Sequence, residues 1–395
     1  MISFELPKSR PNDFTRVLPV VEEVIKGVRE KGDIALLELE EKFDHVKLDS
    51  VVEDKVDELA EKIPPDLREA IDYIYDQLTE FHESIKPYNA GGNSKGVEFG
   101  VLWKPVEKVG IYVPGGNKAY PSTLLMAGIP AKVAGVSEIY AATPPSKIDP
   151  AICYISKKLR IKKLYRLGGA QAIAAFAYGT ESVIRVDKIV GPGNIYVQAA
   201  KFLVSKEIGI DGIEGPTELV IIADENADAK EIVLDMKAQA EHGTSTFIVL
   251  LSTSQSLIDQ VVPQLKDDNI IYYIIKVSTI EEAIKVLNEI SPEHLSLYVA
   301  NPKKYLDKIA NSGAISLGAT PPAIIDYAAG PNHILPTNRW ARFKGGVTVY
   351  DFLKPVMYAY TEKPDEKLIR SAMVLARHEG FEFHAKSIGV RYGRE

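Results

Sequence analysis

From Val97 onward the chain alternates apolar runs of strand length with helix-length segments, and that rhythm admits few folds. The strand-like runs are Val109–Val113, Glu138–Ala142, Lys163–Arg166 and Lys188–Val190. Helix-like stretches accompany them at Pro121–Ala134, Ala151–Leu159, Ala170–Tyr178 and Tyr196–Lys206. A strand that returns to its sheet through a helix lies parallel to the one before, so the pattern reads as βαβ units around a parallel sheet. A second alternation runs from Glu218 to about Leu317, with strands near Leu219–Ala223, Thr246–Leu251, Ile270–Ile275, Leu295–Val299 and Ala314–Leu317. Two open α/β domains are therefore expected, meeting near Ile213-Glu214-Gly215-Pro216.

The flanks read differently. Val20, Val21, Val24, Ile25 and Val28 recur at helical spacing, Gly32-Asp33 interrupts, and Asp66–Ile85 repeats Ile71, Ile74, Leu78 and Phe81 on one face. His45 and His82 fall here outside the polar clusters described below and read as surface or packing residues. Beyond Gly345 the alternation lapses, and Lys367–Lys386 reads as a terminal helix. The expected organisation is a helical N-terminal region over 1–92 packing on the catalytic domain, a first α/β domain over 93–214, a second over 215–345, and a C-terminal tail over 346–395.

Size and charge narrow the function. A chain of 395 residues exceeds one small core. A net charge of −7 argues against a polyanion-binding surface, which needs clustered Lys and Arg. No basic segment followed by an apolar stretch opens the chain and no run is long enough to span a membrane, so a cytoplasmic protein is expected. The single cysteine, Cys153, can form neither an intrachain disulfide nor a sulfur metal cage.

Five of the seven histidines lie in the second half, and four stand in polar clusters. These are Gln239-Ala240-Glu241-His242, Pro292-Glu293-His294, Asp326-Tyr327 with Asn332-His333, and Glu379 with His384. Imidazoles and carboxylates are the materials of metal sites and of proton transfer near neutral pH. Gln239 and His242, three apart in an apparent helix over Glu231–His242, would point to one side, a spacing that suits two ligands of one metal. Taken alone, that pair would read as a solvated helix end stopped by Gly243, but His294, His333, His384 and Asp326 need explaining with it. A set of His, Asp and Gln without sulfur suits zinc or a similar divalent ion. Glu293-His294 places an acid and a base side by side before a strand, where they either cap it or serve proton transfer.

Open α/β sheets bind ligands at the carboxyl ends of their strands. Glycine turns follow three strands of the first domain: Tyr112-Val113-Pro114-Gly115-Gly116, Leu167-Gly168-Gly169-Ala170-Gln171 and Gly191-Pro192-Gly193-Asn194. Such turns admit a phosphate, especially before a helix N-terminus. The dinucleotide fingerprint is not met, because Tyr196 stands where a third small residue belongs. Spacing alone leaves open a nucleotide site or three structural turns. It equally leaves open a dehydrogenase, a zinc hydrolase acting on a nitrogen heterocycle, and a metal-linked dimer without catalysis.

The ordered motifs decide between these. GIYVPGG (110–116), YPSTLLM (120–126), GGAQAIAA (168–175), VDKIVGPGN (186–194), EGPTEL (214–219), QAEHG (239–243), PEHL (292–295) and GPNHILPT (330–337) together resemble the histidinol dehydrogenase family, zinc and NAD enzymes of histidine biosynthesis. The resemblance runs from Gly32-Asp33 and Lys42-Phe43-Asp44 to His384-Ala385-Lys386. It implies two open, incomplete Rossmann-like domains of aldehyde-dehydrogenase type, with the first binding NAD and the second carrying zinc and the acid/base pair. It implies a homodimer whose helical C-terminal tail crosses to the partner subunit.

Carried over by position, the resemblance makes Gln239, His242, Asp326 and His384 the zinc ligands and Glu293 and His294 the acid/base pair. Tyr112, Gln171 and Asn194 match NAD contacts. Thr217, standing where the family usually has serine, and Glu379 match substrate contacts, and His294 and the four metal ligands adjoin the substrate as well. The implied reaction is oxidation of L-histidinol to L-histidine through the aldehyde with two NAD and one water. His333 receives no role, and His378 reads as a helix-face residue. Ile325 precedes Asp326 where the family commonly has glycine, and a β-branched residue is strained there if φ is positive.

Overall fold

The computed structural model describes residues 1–7, 14–115, 119–265 and 269–393. Gly116, the last residue of the first glycine turn, lies outside them. The chain divides into two compact units, one of Met1–Lys86 with Val106–Phe352 and the other of Pro87–Pro105 with Leu353–Glu395. The fold is mixed α/β with two parallel sheets, as the alternation implies.

The first sheet has five parallel strands. Lys108–Tyr112 lies at its centre, with Glu138–Thr143 and then Leu164–Arg166 on one side and Lys188–Val190 and then Gly209–Ile210 on the other. The order reverses between Lys108–Tyr112 and Lys188–Val190, which opens a crevice beyond their carboxyl ends, beside Tyr112 and Gly191. Helices Gly169–Tyr178 and Ile195–Val204 cover one face, their alanines allowing close approach, and Leu18–Lys31 packs on both through Val21, Val24 and Val28. The amphipathic N-terminal stripe is thus buried on the first sheet's helix layer.

The second sheet has six parallel strands in the order Ile2–Ser3, Tyr272–Lys276, Phe247–Ser252, Glu218–Ala223, His294–Tyr298, Ala314–Leu317. Its central strands are buried on both faces, which explains their unbroken Val, Ile and Leu. Ile2–Ser3 pairs with Tyr272 and Tyr273. The N-terminal region is therefore not helical throughout, because its first residues complete a sheet edge. That strand is too short for periodicity to reveal.

The second unit departs most from the expected pattern. Leu353–Tyr360, Val97–Pro105 and Ala90–Ser94 form a three-stranded antiparallel sheet. The terminal stretch is two helices, Glu366–His378 and Glu382–Arg391, packed together through Ile369, Met373 and Ala385. Gly380, at φ +83°, supplies the left-handed residue that ends the first of them.

Candidate active site

Glu293, His294 and Thr217 converge at the amino ends of the second sheet's central strands. Thr217 precedes Glu218–Ala223, and Glu293 precedes the adjacent His294–Tyr298, where His294 lies opposite Leu219 and Ala314. The glycine turns of the first sheet follow the carboxyl ends of its strands, whereas these residues gather at the amino ends of the second sheet's strands. The second sheet presents its opposite edge.

Thr217 joins two of the expected residues. Its hydroxyl donates to Glu293 Oε2 at 2.5 Å and accepts from the Gln239 side-chain amide at 2.5 Å. Glu293 Oε2 also accepts from the Glu218 backbone amide at 2.9 Å. Burial pushes the Glu293 carboxyl up to about 8, against the lowering effect of these donors. It therefore has both the acid and the base form available near neutral pH.

His294 is buried, and its Nε2 lies 3.4 Å from Asp326 Oδ1. Burial drives the imidazole down to about 3, with His242 and His333 adding to the shift. The ring is therefore neutral, and its contact with Asp326 is no ion pair. Burial also lifts Asp326 to about 7. His333, without a role in the sequence reading, faces the Asp326 backbone carbonyl with Nδ1 at 2.8 Å and the Thr123 hydroxyl with Nε2 at 3.3 Å. It thereby contacts the end of the helix Pro322–Tyr327 that carries Asp326.

Two local expectations change. The helix bearing Gln239 is Ala229–Ala240, so His242 stands exposed beyond its end, before Gly243 at φ +120°. Gln239 is buried, and a turn bond from the His242 amide to the Gln239 carbonyl at 3.3 Å links the two residues past the helix end. Ile325 lies within the helix Pro322–Tyr327 and packs on Ala314 and Leu335. Its φ is not positive, so glycine is not required there.

The metal-ligand set can be tested against this geometry. Among the described residues no group of three or more His, Cys, Asp or Glu side chains could hold a metal. The expected set differs from such a group, since one member is an amide and another, His384, is expected from a partner subunit. Asp326 Oδ1 is buried with no hydrogen-bond partner among the described residues. An orphaned carboxylate oxygen is costly unless a cation or donor meets it. Gln239 spends its nitrogen on Thr217, which keeps its oxygen for another partner. Both features suit a divalent cation bound by oxygen and imidazole donors. Glu379 and His384 belong to the second unit, Glu379 capping the helix Glu366–His378 and His384 exposed on the next one.

On the first sheet, Asn194 caps the helix Ile195–Val204 by accepting from the amides of Tyr196 and Val197 at 3.0 and 3.2 Å. The Tyr112 hydroxyl accepts from the Gly169 amide at 3.1 Å. Glu40, from the helix Asp33–Phe43, accepts at 2.9 Å from both the Gly168 amide and the Gln171 side chain. The turn that opens the helix Gly169–Tyr178 has thus already spent the Gly168 and Gly169 amides within the protein.

Lys201 escaped the sequence reading. Fully buried, it contacts Asp211 Oδ1 at 2.5 Å and Glu214 Oε2 at 2.9 Å, and donates to the Gly191 carbonyl at 3.1 Å. Asp211 Oδ2 in turn accepts from the Gly191 amide at 2.6 Å. One ammonium therefore ties the Gly191–Asn194 turn to the segment leading into Thr217. A lysine amid Val197, Ala200 and Val204 on a buried helix face was the readable signal.

A profile of the histidinol dehydrogenase family matches residues 8–392. The chain is 65% identical to the histidinol dehydrogenase of Sulfolobus acidocaldarius over 99% of this chain and all of that one. It is 63% identical to that of Sulfurisphaera tokodaii over the same shares. The crystal structure of histidinol dehydrogenase from Elizabethkingia anophelis superposes with a TM-score of 0.94 at 32% identity, covering 99% of this chain and 98% of that one. A succinate-semialdehyde dehydrogenase from Burkholderia pseudomallei shares the fold at TM-score 0.50 and 11% identity, over 88% and 90% of the two chains. The chain belongs to the histidinol dehydrogenase family.

Proposed function

We propose that this chain is a zinc-dependent, NAD-linked dehydrogenase that oxidises L-histidinol through the aldehyde to L-histidine, consuming two NAD and one water. The observation that carries the reading is the Thr217 hydroxyl joined to both Glu293 and Gln239, with the neutral His294 beside Asp326 on the adjoining strand.

Gln239, His242 and Asp326, with His384 of a partner subunit, would hold zinc, which would supply a Lewis acid for anchoring the substrate. NAD, contacted by Tyr112, Gln171 and Asn194, supplies the hydride acceptor. His294, kept neutral, takes the hydroxyl proton as the alcohol becomes the aldehyde. Glu293 then takes a proton from water as it adds to the aldehyde carbon, and His294 takes the proton released in the second oxidation. Thr217 orients the Glu293 carboxyl, and Glu379 contacts the substrate. Each subunit of the homodimer lends its tail to the other site.

A thiol route is closed. Cys153 is fully buried in the helix Pro150–Leu159, and burial lifts its thiol to about 12, so no reactive thiolate forms.

The test is incubation of the zinc-loaded protein with histidinol and NAD, identifying the product. Histidine with NADH supports the reading. A ring-opened or hydrolysed heterocycle without NADH would replace it with a zinc hydrolase.

A further inference from the structure

Glu40 is a carboxyl where packing calls for an apolar residue. It follows Leu36 by one helical turn on the face that the helix Asp33–Phe43 buries, and it is itself fully buried. Burying a carboxyl is expensive unless its partners repay the desolvation. Its partners lie 128 and 131 residues away in sequence, in the turn that opens the helix Gly169–Tyr178. No other described residue of its helix makes a side-chain hydrogen bond to that turn.

The bonding pattern fixes the direction of Gln171. Glu40 Oε1 accepts from the Gly168 amide and from Gln171 Nε2, each at 2.9 Å. An oxygen already receiving a backbone N–H can take only the nitrogen end of a facing amide, so Gln171 cannot flip. Its carbonyl oxygen is left for a donor elsewhere. Burial, with Asp44 nearby, pushes Glu40 up to about 8, so the neutral acid prevails near neutral pH. Oε1 is the acceptor in both bonds, and the Asp44 carboxyl is the further acidic group beside it.

We propose that Glu40 is a positioning residue of the dinucleotide site, holding the Gly168 turn and the Gln171 amide so that Gln171 offers its carbonyl oxygen to a hydrogen-bond donor of the cofactor. This rests on the reading of Gln171 as a cofactor contact. Glu40 itself need not touch the dinucleotide, since its ligating oxygen is consumed within the protein.

The experiment is calorimetric titration of NAD into the zinc-loaded wild type, Glu40→Gln, Glu40→Ala and Glu40→Met, with thermal melting of each. Gln copies the neutral acid and keeps the acceptor, so it should bind NAD within about threefold of wild type. Ala and Met remove the acceptor and leave two buried donors unpaired, which should weaken NAD roughly tenfold to a hundredfold. Glu40→Met keeps the side-chain volume, so the comparison survives if the cavity in Glu40→Ala unfolds the chain. Steady-state kinetics should show a raised KM for NAD, with kcat at saturating NAD and KM for histidinol nearly unchanged. Wild-type affinity in folded Glu40→Met, or equal losses in Gln and Met, would overturn the role of the acceptor oxygen. Failure of the wild type itself to bind NAD would instead remove the cofactor reading on which the proposal stands.

Discussion

The Thr217 hydroxyl donates to Glu293 Oε2 across the amino ends of two neighbouring parallel strands, while accepting from Gln239. A single hydroxyl thus relates the proposed acid/base carboxyl to a metal-ligand candidate. A valine of equal shape would leave the Gln239 amide and the Glu293 oxygen each short of a partner. Thr217→Val should therefore lower kcat/KM for histidinol by about ten- to a hundredfold, corresponding to the cost of unpaired buried polar groups. Thr217→Ser keeps the hydroxyl and should stay within a few-fold. Equal activity in the Val and Ser variants would show that the bridge is incidental.

Glu293 and His294 should separate the two oxidations. If Glu293 activates water, Glu293→Gln slows oxidation of histidinal more than oxidation of histidinol. His294→Asn should depress both, on the order of 10²–10⁴-fold for loss of one general base. Parallel assays on the alcohol and the aldehyde read the split, and equal losses in Glu293→Gln count against its assignment.

Chelation should stop turnover yet leave NAD affinity largely intact. Tyr112 ends a strand of the first sheet, Gln171 lies on a helix that follows one of its strands, Asn194 caps another such helix, and none of the ligand candidates lies there. Calorimetry of NAD on metal-free, folded protein checks this. Complete loss of NAD binding would mean that the two sites are one unit.

Lys201 should prove the costliest charge to remove. Lys201→Met leaves Asp211 and Glu214 buried without their cation, a change worth about 3–5 kcal/mol of stability. Glu214→Gln keeps an acceptor and a neutral Lys201–Asp211 pair and should cost far less. Denaturant unfolding measures both, and a Lys201→Met loss below that of Glu214→Gln would contradict the hub.

The sheets were legible because buried parallel strands carry unbroken Val, Ile and Leu, so Lys108–Tyr112 and Glu218–Ala223 read within a residue or so of their bounds. Ala90–Ser94 did not, since Ala-Gly-Gly-Asn-Ser has no apolar alternation and its strand exists only by pairing with Val97–Pro105. Motifs named Glu293, His294, Thr217 and Gln239, but not the sheet edge they would share, because which end of a strand faces ligand is settled by tertiary packing. Glu40 and Lys201 were visible as charges on apolar helix faces. Their partners, distant in the fold's connectivity, were not.

The most direct test is the number of NADH molecules formed for each histidinol consumed by the zinc-loaded protein in excess NAD. The account predicts two, with histidine accumulating in step and free histidinal scarce. One NADH with histidinal as the end product would leave Glu293 without its water-activating role, and none would contradict the dehydrogenase reading outright.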